Sequence, residues 1–421
     1  MADTKSYNDA RALFFIPGFY GAVTWGSWLI LYFLNLIRID PCSYAALVIY
    51  LFTEIMFLLS ILCVLPKYRQ YVTDNDSEPS GNAVLCRSTI NHRLILIVLH
   101  LVGFIGLAKY VIDYSRTMGG FWWFMFALLN DAASIRAEAV FNSASSVGTQ
   151  IGYAGWLAIG LTFYYIARKR LSNWWLVPAL LQFAGNLAYI DKTKPLMILL
   201  TSLLIMLPSA INRVRVNKIV TWIVVTVFLT IMTFWLIAEW SSKAYFRSNN
   251  EATVLPGITY DIYYYGVSGF AYFNKMLEIN EPISYLPERT LYPLLKFTAM
   301  FGLTREPLSQ VIEFYDVPFP TNVGTFLEPW YRDGGFSFVF LGILIFSFGL
   351  DYAGLFFLKA RNPYADYAWA NICFSVMLAF ISNKIISFPL WIFCGIGCTA
   401  VLLANQNAYF RKLKTVRSEA P

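Results

Sequence analysis

The residues best placed to do chemistry form one run. It reads Pro320-Thr321-Asn322-Val323-Gly324-Thr325, then Glu328-Pro329-Trp330-Tyr331-Arg332-Asp333-Gly334-Gly335. Carboxylates, a guanidinium, hydroxyls and an amide are concentrated directly ahead of an apolar block at 336–357. A cation and a carboxylate are adjacent in Arg332 and Asp333. Just above hydrocarbon, such a set suits a polar substrate carried on a lipid whose head group lies at the same depth. The plainer reading is a turn that caps the next helix, with Asp333 near its N-terminus, favoured by the helix dipole. The only two histidines, His92 and His100, lie in and next to a different apolar block. Chemistry around 320–335 must therefore use Asp, Glu, Arg, Lys or Tyr.

Two other patterns carry less. Asp74-Asn75-Asp76 has the Asp-x-Asp form by which many soluble glycosyltransferases hold a metal and a nucleotide sugar, but it sits in a polar loop with no α/β domain around it. The six cysteines show no metal spacing. Cys63, Cys373, Cys394 and Cys398 fall inside apolar blocks, where Cys is a small filler. No metal and no cofactor is expected.

The elements that position these residues are set by composition. Of the 421 residues, 58% are hydrophobic and 14% charged, against about 25% charged in an ordinary soluble domain. The apolar excess comes in blocks of the length a helix needs to cross about 30 Å of hydrocarbon. Backbone in lipid must satisfy its own hydrogen bonds, so these blocks are helices. We place spans at about 13–36, 44–65, 94–112, 151–167, 174–190, 195–208, 219–239, 336–357, 368–382 and 386–405. Trp and Tyr gather near block ends, as at Trp174, Trp175, Trp235 and Trp240, which fits an interfacial belt. The net charge of +7 does not point to nucleic acid, because the basic residues sit mainly in loops between spans. The Lys/Arg bias of the short loops puts both termini in the cytoplasm. The first apolar block is too long for a cleavable signal peptide and reads as a retained span.

The expectation is an all-α polytopic membrane protein, a single integral membrane domain over 1–421, with about ten transmembrane helices. Two segments fall on the outer side. The first, 113–150, contains Phe121-Trp122-Trp123-Phe124-Met125-Phe126, readable as an interfacial or re-entrant helix, and Arg136. The second, 240–335, is a large loop rich in Tyr, Pro and Gly, with tyrosines at 263, 264 and 265. Loops of that length are functional or disordered, and its aromatic density argues against disorder. No internal repeat is visible, which removes support for an inverted-repeat transporter.

The 320–335 run resembles the signature of the O-antigen and capsule polymerases, the Wzy-type oligosaccharide repeat unit polymerases. Thr321-Asn322-Val323-Gly324-Thr325 is similar to a family Thr-Asn-Val-x-Thr segment. Tyr331-Arg332-Asp333-Gly334-Gly335 is similar to a Tyr-x-Asp-x-Gly segment that opens a membrane helix. Tyr263-Tyr264-Tyr265-Gly266, followed by Phe270-Ala271-Tyr272-Phe273-Asn274, resembles the family's tyrosine–glycine segment and aromatic–polar pair. The opening Phe14-Phe15-Ile16-Pro17 ahead of Trp25 and Tyr32, the span count and the late outer loop are also similar.

The resemblance implies a periplasmic-face enzyme of the bacterial inner membrane, with an architecture like that of the C-type membrane glycosyltransferases. It implies a substrate, an undecaprenyl-diphosphate-linked oligosaccharide embedded in membrane lipid, and a chain-length regulator protein as a partner. The growing chain would move from its lipid diphosphate onto a new lipid-linked unit. A departing diphosphate needs cations where negative charge develops, with Arg suited to bidentate contact and Lys to point charge. The outer cations are Arg136, Lys192, Lys194, Arg289, Arg332 and Lys384. The family's Arg-x-x-x-Leu pattern after the middle loop is here Lys192-Thr193-Lys194-Pro195-Leu196, with Lys for Arg.

Each cation also has a plain structural account. For Lys192 and Lys194 it is snorkelling, and for Arg136 a solvated surface charge. For Arg289 it is a local ion pair with Glu288, and for Lys384 simple anchoring. The acceptor hydroxyl needs a general base. Asp333 stands first and Glu328 second on position, with Asp261 and Asp316 behind them. Asn322 and Thr325 fall in the motif, and Tyr264, Tyr265, Trp330 and Tyr331 could stack on sugar faces or anchor at the interface.

Two other functions share parts of this layout. O-antigen ligases are alike in architecture but generally carry a His on the large outer loop, which is missing here. A lipid-linked oligosaccharide flippase or transporter would show repeated halves and charge deep in the spans. Glu54 and Asp351 are the exceptions to an almost uncharged mid-membrane zone.

Overall fold

The computed structural model describes residues 2–37, 39–77, 92–130, 146–189, 193–210, 221, 225, 232, 257–305, 307, 313–317 and 320–419. Among them the chain is almost wholly helical. Its β-structure there is one short antiparallel ladder, β1 (Tyr315–Asp316) against β2 (Pro320–Thr321), with Tyr315 opposite Thr321. Every predicted span except 219–239 falls on helix. That one lies outside the described residues apart from three helical positions, as do Arg136, Lys192 and the side chain of Asp261.

The helices are α1 (Ala2–Leu13), α2 (Pro17–Leu34), α3 (Tyr44–Ser77), α4 (His92–Thr117), α5 (Phe121–Asn130), α6 (Ser146–Ala167), α7 (Leu176–Asn186), α8 (Thr193–Leu204), α9 (Met206–Ala210), α10 (Gly257–Glu278), α11 (Tyr292–Met300), α12 (Leu327–Leu344), α13 (Leu350–Lys359), α14 (Pro363–Met377) and α15 (Phe388–Glu419). Among the described residues, four stretches are long and apolar enough to cross a membrane: Tyr44–Asp74, His92–Thr117, Leu327–Lys359 and Phe388–Gln406. Their outward faces carry exposed Leu, Ile and Phe, such as Leu58, Leu62, Leu101 and Ile105, an apolar belt that water would not tolerate.

The remaining predicted spans differ for local reasons. The block at 174–190 is a short α7 between 3-10 turns, and 195–208 is divided into α8 and α9. The block at 368–382 becomes α14, which is buried throughout Ala365–Val376. Buried on every side, its polar Asp366, Asn371 and Ser375 included, α14 is the central post, packed by α2, α6, α8, α13 and α15. Its start is fixed by Pro363 at the first position and by the Asn362 side chain, which accepts from Tyr364 N at 3.0 Å. Buried Trp25, Trp156 and Trp369 fill the core around it.

Helices α4 and α6 approach closely at Gly103, Gly106, Gly152 and Gly155. A Cβ on Gly103 would come within 2.5 Å of Gly155 Cα. Beside this contact His100 is tied to Gln182 Oε1 at 2.7 Å and Thr162 Oγ1 at 3.1 Å, so its ring is accounted for by structure. Asp351 is likewise engaged. It accepts from Gly18 N and from Ser60 Oγ, each at 2.5 Å, and so closes the N-terminal turn of α2.

Candidate functional site

The site is built where α12 breaks. Gly335 has φ 64°, ψ −152°, a backbone state open to Gly, and Gly334 is also non-helical. A side chain at 335 would press on Ile283 Cδ1 at 2.9 Å. The pair divides α12 into a polar arm, 327–333, and an apolar arm from 336 onward. The polar arm begins at Leu327 with Glu328 in its first turn, and Asp333 lies just before the break, ahead of the apolar arm that continues from 336. Thr325 starts the helix, its Oγ1 accepting from Leu327 N at 3.3 Å, while Phe326 N donates to Ala379 O at 2.8 Å.

Helical spacing puts Glu328 and Arg332 on one face, with Arg332 Nε 2.6 Å from Glu328 Oε1. Arg332 Nη1 donates to Glu281 Oε1 at 2.6 Å and Nη2 to Tyr272 Oη at 3.0 Å. The Tyr272 hydroxyl donates to Glu313 O at 3.0 Å, and its ring stacks on Tyr315 at 4.8 Å. The Tyr315 hydroxyl donates to Glu281 Oε2. One guanidinium thus sits between two carboxylates and a phenol, nearly sealed from solvent. Buried charges require this degree of pairing.

Asp333 faces the other way. Its carboxylate accepts from Arg289 N at 3.1 Å and from Thr290 N and Oγ1 at 2.7 and 2.8 Å. These bonds hold the turn that leads into α11. They also carry Arg289 to the site, with its Nη1 4.0 Å from Glu328 Oε1 and its side chain 23% exposed. The local Glu288 pairing expected for Arg289 gives way to Glu328, which lies between two arginines.

Other expected residues are placed apart. Trp330 and Tyr331 are buried, with Tyr331 edge-on to Phe273 and Phe336. Tyr264 and Tyr265 are half-buried, and the Tyr264 hydroxyl is hydrogen bonded to Thr321. Asn322 is half-buried beside that run, and Asp316 is an exposed residue of β1. Lys194 lies over the Tyr189 ring at 4.7 Å, in a separate aromatic cluster with Tyr110, Tyr114 and Phe124. Lys384 is half-buried in a 3-10 turn.

Tyr272 enters from the sequence only within the Phe270–Asn274 segment, and Glu281, Tyr315 and Thr290 have no functional signal there. Asn280-Glu281-Pro282 is a helix stop, with Asn280 left-handed at φ 50° and Glu281 N bonded to Met276 O at 3.2 Å. That signal locates the turn but not the charge it presents. Burial pushes Tyr272 well above the usual phenol range. Burial and the Glu281 contact push Tyr315 up to about 12.

No family model, curated protein or solved structure matches the chain. The geometry therefore has to carry the functional reading. Two guanidiniums and three carboxylates meet at the break of a helix that continues into the membrane. Chemically, the set can hold an anion through Arg289 while a neighbouring carboxylate takes a proton. Among the described residues no group of His, Cys, Asp and Glu is arranged to hold a metal ion.

Proposed function

We propose that the chain polymerises undecaprenyl-diphosphate-linked oligosaccharide units at the outer face of the bacterial inner membrane, with about ten spans and the 240–335 loop outside. The observation that carries this reading is the Arg289–Glu328–Arg332–Glu281 set at the Gly334–Gly335 break. A charged, tightly ordered site lies beside an apolar helix arm, where a lipid diphosphate would present its head group.

In this reaction the acceptor hydroxyl oxygen attacks the anomeric carbon of the donor sugar. The bond from that carbon to the diphosphate oxygen breaks, and the hydroxyl proton passes to a base. Arg289, with its head partly open to solvent, binds the departing diphosphate and offsets its developing charge. Arg332 is held rigid by three partners and keeps Glu328 in place. Glu328 is the base, ahead of Asp333, whose oxygens are occupied by donors from 289 and 290. Tyr264 and Tyr265 offer ring faces to the sugars. A chain-length regulator in the same membrane is the expected partner.

The test supplies purified protein in lipid vesicles with undecaprenyl-diphosphate-linked repeat units and resolves the products on a gel. A ladder of increasing repeat number is expected from the native chain, with none from Glu328→Gln. Unextended substrate under conditions where the protein stays folded would contradict the assignment.

A further inference from the structure

Residues 291–305 contain no acidic side chain and present apolar groups outward. Along α11 and its two cap residues, Leu291, Leu294, Phe297 and Phe301 recur at helical spacing and are exposed. Phe301 and Leu303 are 65% and 75% exposed. Pro293 on the same helix is buried, so the helix has one face toward the protein and one away from it. Lys296 and the exposed Arg305 flank the apolar face. The turn beyond the helix is fixed, because Thr298 Oγ1 and Thr304 Oγ1 are 2.7 Å apart and Leu303 N donates to Thr298 O at 3.1 Å. The apolar groups are therefore held outward by an ordered backbone.

The height of this face follows from α12 and α13. From Gly335 to Lys359 the helical stretch is roughly 37 Å long at about 1.5 Å per residue, against about 30 Å of hydrocarbon. Gly335 thus stands at one rim of the bilayer when Lys359 stands at the other. Asp333 lies just above Gly335 and is bonded to Arg289 N and Thr290 N, which lead directly into α11. Ser284 N donates to Arg332 O at 2.8 Å and pins the same segment a second time. The exposed Phe336 and Phe340 continue the apolar surface down the spanning arm.

We propose that the outward face of α11 and its following turn is a membrane-docking surface seated in the lipid headgroup region, with the phospholipid bilayer as its occupant. An amphipathic helix of this kind binds by burying apolar side chains at the acyl boundary while cations meet anionic head groups. The assignment needs only that the chain crosses a bilayer; it does not depend on the sugar chemistry.

The test replaces the six native cysteines with alanine and introduces Phe297→Cys or Leu303→Cys, each labelled with an environment-sensitive fluorophore. The protein is placed in vesicles of phosphatidylcholine and phosphatidylglycerol with lipids spin-labelled at a shallow acyl position. Phe340→Cys, on the spanning arm, serves as the lipid reference and Thr73→Cys as the water reference. Strong quenching at 297 and 303, near that at 340, is expected. Quenching at both sites no greater than at 73 would overturn the proposal. So would blue-shifted emission without lipid quenching, which would mean that protein covers the face.

Discussion

The Asp333 carboxylate and the Thr290 backbone N–H are 2.7 Å apart, although 43 residues separate them in sequence. This bond joins the base of the loop to the helix that enters the membrane. With the Thr290 hydroxyl and the Arg289 amide it makes Asp333 a cap for a distant turn rather than for its own helix.

Asp333→Asn is therefore expected to act first on structure. An amide offers one acceptor atom and turns a donor toward two N–H groups. The loss is on the order of 1–3 kcal/mol, the cost of leaving a buried group unsatisfied. Thermal unfolding in detergent should fall, and limited proteolysis should open the chain between 281 and 305. Unchanged protection of that stretch would contradict the capping role.

Arg289 and Arg332 should separate in a paired experiment. Arg289→Ala removes a partly exposed cation with one ion-pair contact at 4.0 Å, so stability should change by no more than about 1 kcal/mol. Polymer formation should fall by about 10²–10³-fold, as for loss of one charge-stabilising donor. Arg332→Ala leaves the nearly sealed Glu281 without its cation and Glu328 with only Arg289 at 4.0 Å, and should cost about 3–5 kcal/mol. Equal stability losses in the two variants would refute this division of roles.

Tyr315 gives a prediction in alkali. Burial and its bond to Glu281 raise the phenol to about 12, above about 10 in the unfolded chain. The folded state therefore favours the protonated phenol. Its contribution is fully present below pH ~10 and is lost as pH rises through about 12. Native and Tyr315→Phe proteins, compared by unfolding midpoint across that window, should converge at its upper end. A constant gap would mean that the hydroxyl does not titrate late.

The α4–α6 contact can be tested alone. At Gly103 a side chain meets the Gly155 backbone, and overpacking of such a contact costs typically 1–3 kcal/mol. Gly103→Val should lower the unfolding temperature, whereas Leu101→Val, on the exposed face of α4, should not. Similar midpoints for both would argue against close packing there.

What the sequence made legible follows the range of the interaction. The Glu328–Arg332 pair is readable from i, i+4 spacing once 327–333 is taken as helix. Pro329 and the two glycines made that stretch look like a turn, yet Pro is tolerated in a first helical turn. Long apolar blocks gave the helices at 44–65, 94–112 and 386–405, because hydropathy over a span is a local property. It could not show that α14 is surrounded by protein, since protein interior and lipid select the same apolar side chains. Glu281 had no local signal for its role, because its partner Arg332 lies 51 residues away. Tyr315 and Thr290 entered the site through the same long-range folding of 272–333.

The account depends most directly on which side of the bilayer the 257–335 segment faces. Glu313 and Thr73 are exposed at opposite ends of the proposed topology. Glu313→Cys and Thr73→Cys, each in the cysteine-free background, can be treated in intact spheroplasts with a maleimide that does not cross membranes. Labelling at 313 before lysis and at 73 only after lysis is the predicted result. Labelling at 313 only after lysis would put the arginine–glutamate set inside the cell, away from any exported lipid-linked sugar, and would contradict the account.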